Sequence, residues 1–356
     1  MRTLRVLTWV ALVAASGCKK AAPADAPKPK EWQLLASELP SALLSVSGRS
    51  ASDVFVVGAD KGSGPEVLHF DGHGWKELPT GQRGDLWWVQ ALPGGPVLMA
   101  GANATVLRYD GKGFERLSTP GVARQTVYGV WGKSGDDFYA VGNTAGRDGF
   151  VWHHHDGRFD VEPLPRELSG PAGAAGPGFF KVFGSGDDVW VVGTTGTLLH
   201  RRGAAPFAIV PTGTKETLFT VHGSGDRVVA VGGSGNGVVV DGSGAEFHDV
   251  SPAGAGLLQG IFSTPRVDWA SGERGAVYKR VLAGAAGFAQ VDHGLVLPAA
   301  SSLHSVFVDD NGGVWSAGGD VLTTKLDDGM LIHYGEPVST VILEEESPKG
   351  DGGAAR

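Results

Sequence analysis

The sequence predicts an all-β fold made of one repeated unit, and three observations support this. Glycine accounts for 57 of the 356 residues, against an average near ~7%, as expected where many tight turns join short strands. Segment 182–203, VFGSGDDVWVVGTTGTLLHRRG, contains three apolar stretches separated by glycine-containing turns. Segments with the same pattern recur along the chain, and a regular period of this kind indicates a repeat architecture.

Each repeat is marked by a glycine at the end of its second apolar stretch and by an aliphatic residue, here called the anchor, eleven or twelve positions earlier. Seven copies are found, with their glycines 39 to 51 residues apart. The glycines are Gly58, Gly101, Gly142, Gly193, Gly232, Gly272 and Gly318. The anchors are Val46, Val89, Val130, Val182, Val221, Ile261 and Val306.

Every copy predicts the same strands in the same order. The first strand ends in the anchor, as in LLSV, LWWV or FFKV, and a short polar turn follows. The second, such as DVFVVG at 53–58, is apolar at nearly consecutive positions, which predicts burial on both faces. The third commonly ends in Asp-Gly, a hairpin signal because both residues tolerate positive φ. The fourth opens on an aromatic residue: Trp75, Phe114, Phe159, Phe207, Phe247 or Phe288.

Antiparallel units of four strands and about 40–45 residues are typical of β-propeller blades. The sequence therefore predicts a seven-bladed β-propeller over residues 32–336. The seventh unit lacks an aromatic-led fourth strand of its own. Trp32 lies fourteen residues before Val46, the interval that also separates Trp75 from Val89. We therefore predict that the N-terminal strand pairs with blade seven and closes the ring.

The pattern D-V-W-V-V-G, G-T-x-L-H, D-G and an aromatic residue resembles the repeats of propellers in secreted and lipid-anchored proteins of high-GC bacteria. More distantly it is similar to kelch, sialidase-type and photosystem-assembly-factor propellers. The resemblance covers about residues 32–336 and implies a fold rather than a function, since propellers serve many functions.

The N-terminus predicts a lipoprotein signal peptide over residues 1–17. Arg2 and Arg5 form a basic region, and an apolar stretch too short to span a bilayer follows. Ala15-Ser16-Gly17-Cys18 resembles a bacterial lipobox, which implies lipidation at Cys18, the only cysteine. An ordinary signal peptide with an incidental cysteine is the alternative. Lys19 is not the aspartate that retains lipoproteins in the inner membrane, so the resemblance favours the outer membrane and leaves the leaflet open.

The segments that flank the propeller are expected to be disordered. Residues 18–31 are rich in Ala, Pro and Lys and predict an extended tether, and residues 337–356 predict an acidic tail. Removal of residues 1–17 takes away two arginines and no acid, so the formal charge changes from −8 to −10. So acidic a chain is not expected to bind nucleic acid. We expect a monomer.

The loops predict which face of the propeller binds a ligand. Turns from first to second strand are short and uniform, whereas the loops from second to third strand and from blade to blade vary in length. Both kinds of variable loop lie on one face, here called the variable-loop face, and such loops on a rigid scaffold commonly carry function. The candidate binding residues there are Lys61, Arg83, Arg124, Arg147, Arg166, Lys215, Glu216, Glu273 and Arg274. The alternative is that they are solvated loop charges.

Other candidate sites are weaker. His153 and His155 could share a metal ion only with ligands from elsewhere, because His154 points to the opposite face of a strand, so no metal and no cofactor are expected. His69, His200 and His333 recur at one third-strand position and indicate a packing role. Alternation along the strand directs Trp87 and Trp88 apart, so that one of them could reach the channel.

Two main functions remain open, beside a third possibility, a sensor or assembly subunit of a larger secretion or attachment complex. The first is an envelope-anchored, non-enzymatic scaffold that binds a protein or glycan partner through the variable-loop face. The second is a hydrolase or lyase that acts on carbohydrate or peptide at the channel mouth. The second requires a pair of carboxylates from different blades with perturbed pKa values at that mouth, and the first does not.

Overall fold

The structure, a computed structural model, describes residues 29–169, 174–284 and 287–341. They form seven four-stranded antiparallel sheets, each hydrogen-bonded in the order of its strands from the first to the fourth, and adjacent sheets pack face to face around a central channel. The predicted all-β, seven-bladed propeller is confirmed. Among these residues no helix is long and apolar enough to cross a membrane.

The strands follow the predicted order. Blade one contains β2 (Leu43–Ser50), β3 (Asp53–Asp60), β4 (Pro65–Phe70) and β5 (Trp75–Glu77). Blade two contains β6 (Leu86–Ala91), β7 (Val97–Gly101), β8 (Thr105–Tyr109) and β9 (Phe114–Arg116). Blade three contains β10 (Thr126–Gly132), β11 (Phe138–Thr144), β12 (Arg147–His155) and β13 (Arg158–Val161). Blade four contains β14 (Phe179–Ser185), β15 (Asp188–Gly193), β16 (Leu198–Arg202) and β17 (Ala208–Ile209).

The last three blades repeat this arrangement. Blade five contains β18 (Leu218–Ser224), β19 (Arg227–Gly233), β20 (Gly237–Ser243) and β21 (Glu246–Asp249). Blade six contains β22 (Leu258–Ser263), β23 (Val267–Gly272), β24 (Val277–Val281) and β25 (Ala289–Gln290). Blade seven contains β26 (Ser302–Val308), β27 (Val314–Gly319), β28 (Gly329–Gly335) and the N-terminal β1 (Glu31–Leu39). Within the described ranges, three short 3-10 turns lie in connections: Arg166–Leu168, Thr194–Gly196 and Glu273–Gly275.

The N-terminal strand closes the ring, as the spacing of Trp32 predicts. β1 pairs antiparallel with β28, with Trp32 opposite Tyr334. The Trp32 ring also contacts Trp269 of blade six edge-on, with centroids 6.2 Å apart. Residues from the two ends of the propeller therefore share one sheet, which removes the free edge that an open ring would expose.

The first residues after the propeller are ordered, although the sequence predicts a disordered tail from residue 337. The Val338 amide donates to Gln33 Oε1 at 3.1 Å, and the Val341 amide donates to the Leu35 carbonyl at 2.8 Å. The Trp75 indole N–H donates to the Ser339 carbonyl at 3.0 Å. Residues 337–341 thus lie along the seam between blades seven and one, and residues 342–356 lie outside the described part of the chain.

The hydrophobic core lies between blades, which explains the continuous apolar second strands. In β3, residues Val54 to Ala59 are buried, as are Val189 to Gly193 of β15. One face of each such strand packs on the preceding blade and the other face on the following blade. The predicted burial on both faces is confirmed, and each fully buried Val or Phe contributes about 1.5–3 kcal/mol.

The recurring third-strand histidines fill a packing position beside the second strand. His69 stacks on Phe55 at 4.1 Å, His200 on Trp190 at 3.7 Å, and His333 lies tilted on Trp315 at 4.0 Å. His153 occupies the equivalent position in blade three, where it stacks on Tyr139 at 4.1 Å. Three of these rings also hydrogen-bond an aspartate on or just before the second strand: His69 with Asp53, His153 with Asp137 and His200 with Asp188.

Candidate binding site at the mouth of the central channel

Every first strand contains a β-bulge at the same place. The pairing of first and second strands shifts by one residue two positions before each anchor. A bulge inserts one extra residue and re-aims its side chain. The bulged residues are Leu44, Trp87, Tyr128, Phe180, Phe219, Gln259 and His304. The seven repeats thus place seven equivalent residues around one end of the channel.

Aromatic side chains form most of this ring. Trp87 contacts Tyr128 with ring centroids 5.3 Å apart, Tyr128 contacts Phe180 at 5.3 Å, and Phe180 contacts Phe219 at 5.1 Å. His304 of blade seven contacts Trp87 at 5.8 Å. Edge-to-face and tilted pairs of this kind contribute about 0.5–1.5 kcal/mol each beyond burial. The ring is therefore held in place before any ligand binds.

A cavity of about 250 Å³ lies within this ring and opens on the variable-loop face. Leu257, in the loop before blade six, lines it together with Val321 and Leu322, in the loop between β27 and β28. The remaining lining residues are Trp87, Tyr128, Phe180, Lys181, Phe219, Thr220, Gln259 and His304. The structure thus provides an apolar, aromatic pocket with a few polar groups, which is typical of a ligand site.

Lys181 is a buried amine that lines this cavity. The residue is 4% exposed. Its Nζ donates to the Tyr128 carbonyl at 2.6 Å and lies 4.5 Å from the centre of the Trp88 ring. Gly129 lets the backbone of β14 approach closely, since a Cβ there would lie 2.9 Å from the Phe180 carbonyl oxygen and 3.3 Å from Lys181 Cδ. Burial lowers the pKa of the Lys181 ammonium to about 7.

Lys181 belongs to a belt of hydrogen bonds that joins the first strands of neighbouring blades. The residue before each anchor often reaches the backbone of the next or preceding blade. The Val46 amide donates to Ser305 Oγ at 3.3 Å, and the Val89 amide donates to Ser45 Oγ at 3.2 Å. The Trp88 indole N–H donates to the Val130 carbonyl at 3.0 Å. The polar side chains of the inner wall therefore stabilise the ring as well as line it.

Two further polar groups line the cavity. Gln259 is 6% exposed, and its Oε1 accepts no hydrogen bond from the described residues. His304 Nδ1 bonds the Leu44 carbonyl, so we assign the proton to Nδ1 and leave Nε2 as an acceptor. Burial, with the nearby charge of Lys181, lowers the pKa of His304 to about 4, so the ring is neutral at physiological pH.

A second cavity of about 290 Å³ lies at the opposite end of the channel. All seven anchors line it, together with aromatic residues that include Trp131, Phe183 and Phe262. His222 also lines it and stacks on Phe262 at 4.2 Å, and burial lowers the pKa of His222 to about 4. Trp88 lines this second cavity, whereas Trp87 lines the first. Both tryptophans reach the channel, because the bulge at Trp87 interrupts the alternation that the sequence suggests.

The nine charged candidates lie on the variable-loop face but do not gather at the channel mouth. Seven are exposed cations: Lys61, Arg83, Arg124, Arg147, Arg166, Lys215 and Arg274. Several contact nearby loops. Lys61 Nζ donates to the Lys325 carbonyl at 2.6 Å, Arg83 lies 3.7 Å from Asp60, and Glu216 accepts from Ser234. Glu273 and Arg274 together line a cavity of about 330 Å³ at the seam of blades five and six. Their role in binding stays a prediction.

The carboxylate pair that a glycosidase requires is not among the described residues that line either end of the channel. Burial, with the nearby Glu77, raises the pKa of Glu66 to about 7. These two carboxylates belong to adjacent strands of one blade, away from the channel. Within the described ranges, no group of three or more His, Cys, Asp or Glu side chains is arranged to hold a metal ion. Cys18 lies outside those ranges.

Sequence reasoning missed the polar groups of the mouth: Lys181, Gln259 and His304. The sequence did contain a signal for the ring around them: the residue two positions before the anchor is aromatic in four consecutive repeats, LWWV, VYGV, FFKV and LFTV. Strict alternation would direct this residue and the anchor to the same face of a strand and give no reason to single it out. Only the shared bulge shows that this position faces the channel mouth.

Comparisons with known proteins support the fold. No protein-family model matches the chain, and no curated protein matches it in sequence. YCF48 from Cyanidioschyzon merolae is similar in structure, with 16% identity and a TM-score of 0.62 over 86% of this chain and 98% of that chain. The WD40 repeats of RRP9 match at 10% identity and a TM-score of 0.64, over 87% and 99% of the two chains. The WD40 β-propeller domain of Doa1 matches at 13% identity and a TM-score of 0.59, over 85% and 97%.

Proposed function

We propose that this protein is a non-enzymatic binding scaffold of the bacterial cell envelope, anchored by lipid at Cys18, that binds a partner through its variable-loop face. The observation that carries the proposal is the ring of bulged first strands. It places a preformed aromatic cavity at the centre of the face that also carries the variable loops.

The composition of this face fits a protein partner best. Aromatic side chains and arginine are the residues that most often dominate protein interfaces. Here Trp87, Tyr128 and Phe219 lie at the centre, and exposed arginines such as Arg83 and Arg124 lie on the surrounding loops. Propellers commonly serve as protein-binding scaffolds, and two of the matched structures are WD40 domains. A glycan is the other partner class, since aromatic rings also bind sugar faces.

Affinity capture from envelope extract tests the proposal. The bait is the mature protein, compared with a variant in which Arg83, Arg124, Arg147, Lys215 and Arg274 are alanine. A matched control removes five exposed cations from the opposite face: Lys112, Lys133, Arg158, Arg202 and Arg266. One dominant protein partner, lost in the first variant and kept in the control, is the expected result. Equal capture by both variants contradicts binding by this face. Capture of a glycan without a protein means that the partner is a glycan and not a protein.

The anchor is tested separately. Cys18→Ala should move the protein from the membrane fraction to the soluble fraction and abolish incorporation of labelled palmitate. Separation of inner and outer membranes then tests the outer-membrane assignment. Membrane retention of the Cys18→Ala variant would contradict the lipid anchor without affecting the proposal for the binding face.

A further inference from the structure

Lys181 has no anionic partner among the described residues, although the residue is only 4% exposed. Its ammonium group has one carbonyl acceptor, from Tyr128, and the face of the Trp88 ring. An ammonium group can donate three hydrogen bonds, and a buried charge is costly unless it is paired. An unpaired lysine at this position is therefore unfavourable for the stability of the fold. The fold does not require it, because serine or threonine occupies the equivalent position in blades one, five and seven.

The surroundings of Lys181 complement one kind of ligand. The walls of the cavity are the rings of Trp87, Tyr128, Phe180 and Phe219, which suit an apolar or aromatic body. Gln259 and Thr220 add polar side chains to the lining. No carboxylate lines the cavity within the described ranges, so nothing there competes with an anionic ligand for the ammonium.

We propose that the channel-mouth cavity binds a small carboxylate with an aromatic or apolar body, and that the ligand carboxylate pairs with Lys181 Nζ. Such a carboxylate comes either from a free organic acid or from the C-terminus of a peptide. At about 250 Å³ the cavity is below the ~300–1,000 Å³ of sites for drug-sized molecules, so it holds about one ring and a short chain. The proposal goes beyond the scaffold function, because Lys181 lies inside the channel and its ligand can bind whether or not the loops bind a macromolecule.

Binding of a carboxylate should be coupled to protonation. With a pKa of about 7, Lys181 is largely neutral at pH 8 in the free protein, and an ion pair requires the charged form. The titratable groups that face it are Tyr128 of blade three and His304 of blade seven. Burial raises the pKa of Tyr128 and lowers that of His304, so both are neutral at pH 8. Lys181 is then the group that takes up a proton, close to ~1 per ligand.

Isothermal titration calorimetry tests the proposal on the folded mature protein. The probes are 3-phenylpropionate and its neutral amide, and Gly-Gly-Phe with a free or an amidated C-terminus. We expect at least one acid to bind at least tenfold more tightly than its amide. Lys181→Met should remove this preference. Lys279→Met is the matched control, because Lys279 also lies over a tryptophan, 5.0 Å from the Trp269 ring, but outside the channel.

Proton uptake gives a second readout that needs no variant. Titrations at pH 8 in buffers of different ionisation enthalpy should show uptake near ~1 proton per carboxylate bound. Equal affinity for acid and amide, no binding of any probe, or an acid preference that Lys181→Met retains overturns the proposal. Preference for the free acid or for the peptide acid identifies the source of the carboxylate. A failed capture experiment leaves these results unaffected, so the two proposals fail separately.

Discussion

Replacement of Lys181 by methionine should change the stability of the protein in a pH-dependent way. In the folded state, burial lowers the pKa of this lysine from 10.5 to about 7. The unfolded chain therefore binds more protons than the folded protein between pH 7 and 10.5, and stability rises with pH across this window. Methionine has a similar length and no charge, so Lys181→Met removes this dependence.

The magnitude follows from the size of the shift. Each pKa unit corresponds to about 1.4 kcal/mol, so a shift from 10.5 to about 7 corresponds to a total of about 5 kcal/mol. Between pH 6 and pH 9 the part realised is about 3 kcal/mol. Lys181→Met should therefore be stabilised relative to the wild type most strongly at pH 6, and this advantage should shrink by about 3 kcal/mol by pH 9. Loss of the hydrogen bond to Tyr128 adds a difference that does not vary with pH.

Urea denaturation of both proteins at pH 6, 7, 8 and 9 measures this difference. Glu66 titrates near the lower end of this range in both proteins, and His222, His304 and His333 titrate below it. The contributions of Glu66, His222 and His333 cancel when the two curves are subtracted, because Lys181 does not act on these groups. A difference in unfolding free energy that stays constant from pH 6 to pH 9 would refute the assignment of Lys181 as a buried amine with a lowered pKa.

Three further predictions concern the ring closure and two buried carboxyl groups. Deletion of residues 31–37 should leave blade seven with an unpaired edge, so hydrogen exchange over residues 302–335 should accelerate; protection equal to that of the intact protein would disprove closure by β1. Asp268→Ala removes a fully buried carboxylate that pairs with two arginines, one of blade five and one of blade six. It should lower the free energy of unfolding, measured by urea denaturation, by about 3–5 kcal/mol. The control Asp226→Ala, in an exposed turn, should change it little. Burial raises the pKa of the Glu66 carboxyl from 4.5 to about 7, so Glu66→Gln should stabilise the protein at pH 8 and not at pH 4. The gain at pH 8 is at most about 3 kcal/mol, and solvent screening reduces it because the side chain is only partly buried. An equal effect at both pH values would show that the carboxyl is not buried as described.

The fold was predictable because the chain consists of seven sequence repeats. The spacing of Gly58 and its six equivalents set the number of blades, and the position of Trp32 predicted the closing strand. These features depend on local patterns in which apolar strands alternate with turns. Because the pattern occurs seven times, each copy supports the assignment of strands and turns in the others. The packing role of His69 and His200 was readable for the same reason, because a residue that recurs at one repeat position meets the same neighbours each time.

The site was predictable only in part. The sequence indicated a face, and the charged residues named for it lie there, but they remain dispersed over the loops. The aromatic cavity depends on first strands of all seven blades, so no single repeat contains it. Lys181 and Gln259 looked like ordinary members of FFKV and LQGI, because sequence spacing does not show how far a side chain lies from the channel axis.

The amino-acid sequence by itself determined the strand pattern, the number of blades and the partner of the N-terminal strand, because these follow from residue types at a fixed period. Tertiary structure alone decided where the bulges aim their side chains and which residues meet across the channel. Gly129 illustrates the difference: its missing side chain is visible in the sequence, but the backbone that approaches it, at Phe180 and Lys181, belongs to the next blade. The burial of Lys181, and hence its lowered pKa, exists only once the ring has closed around it.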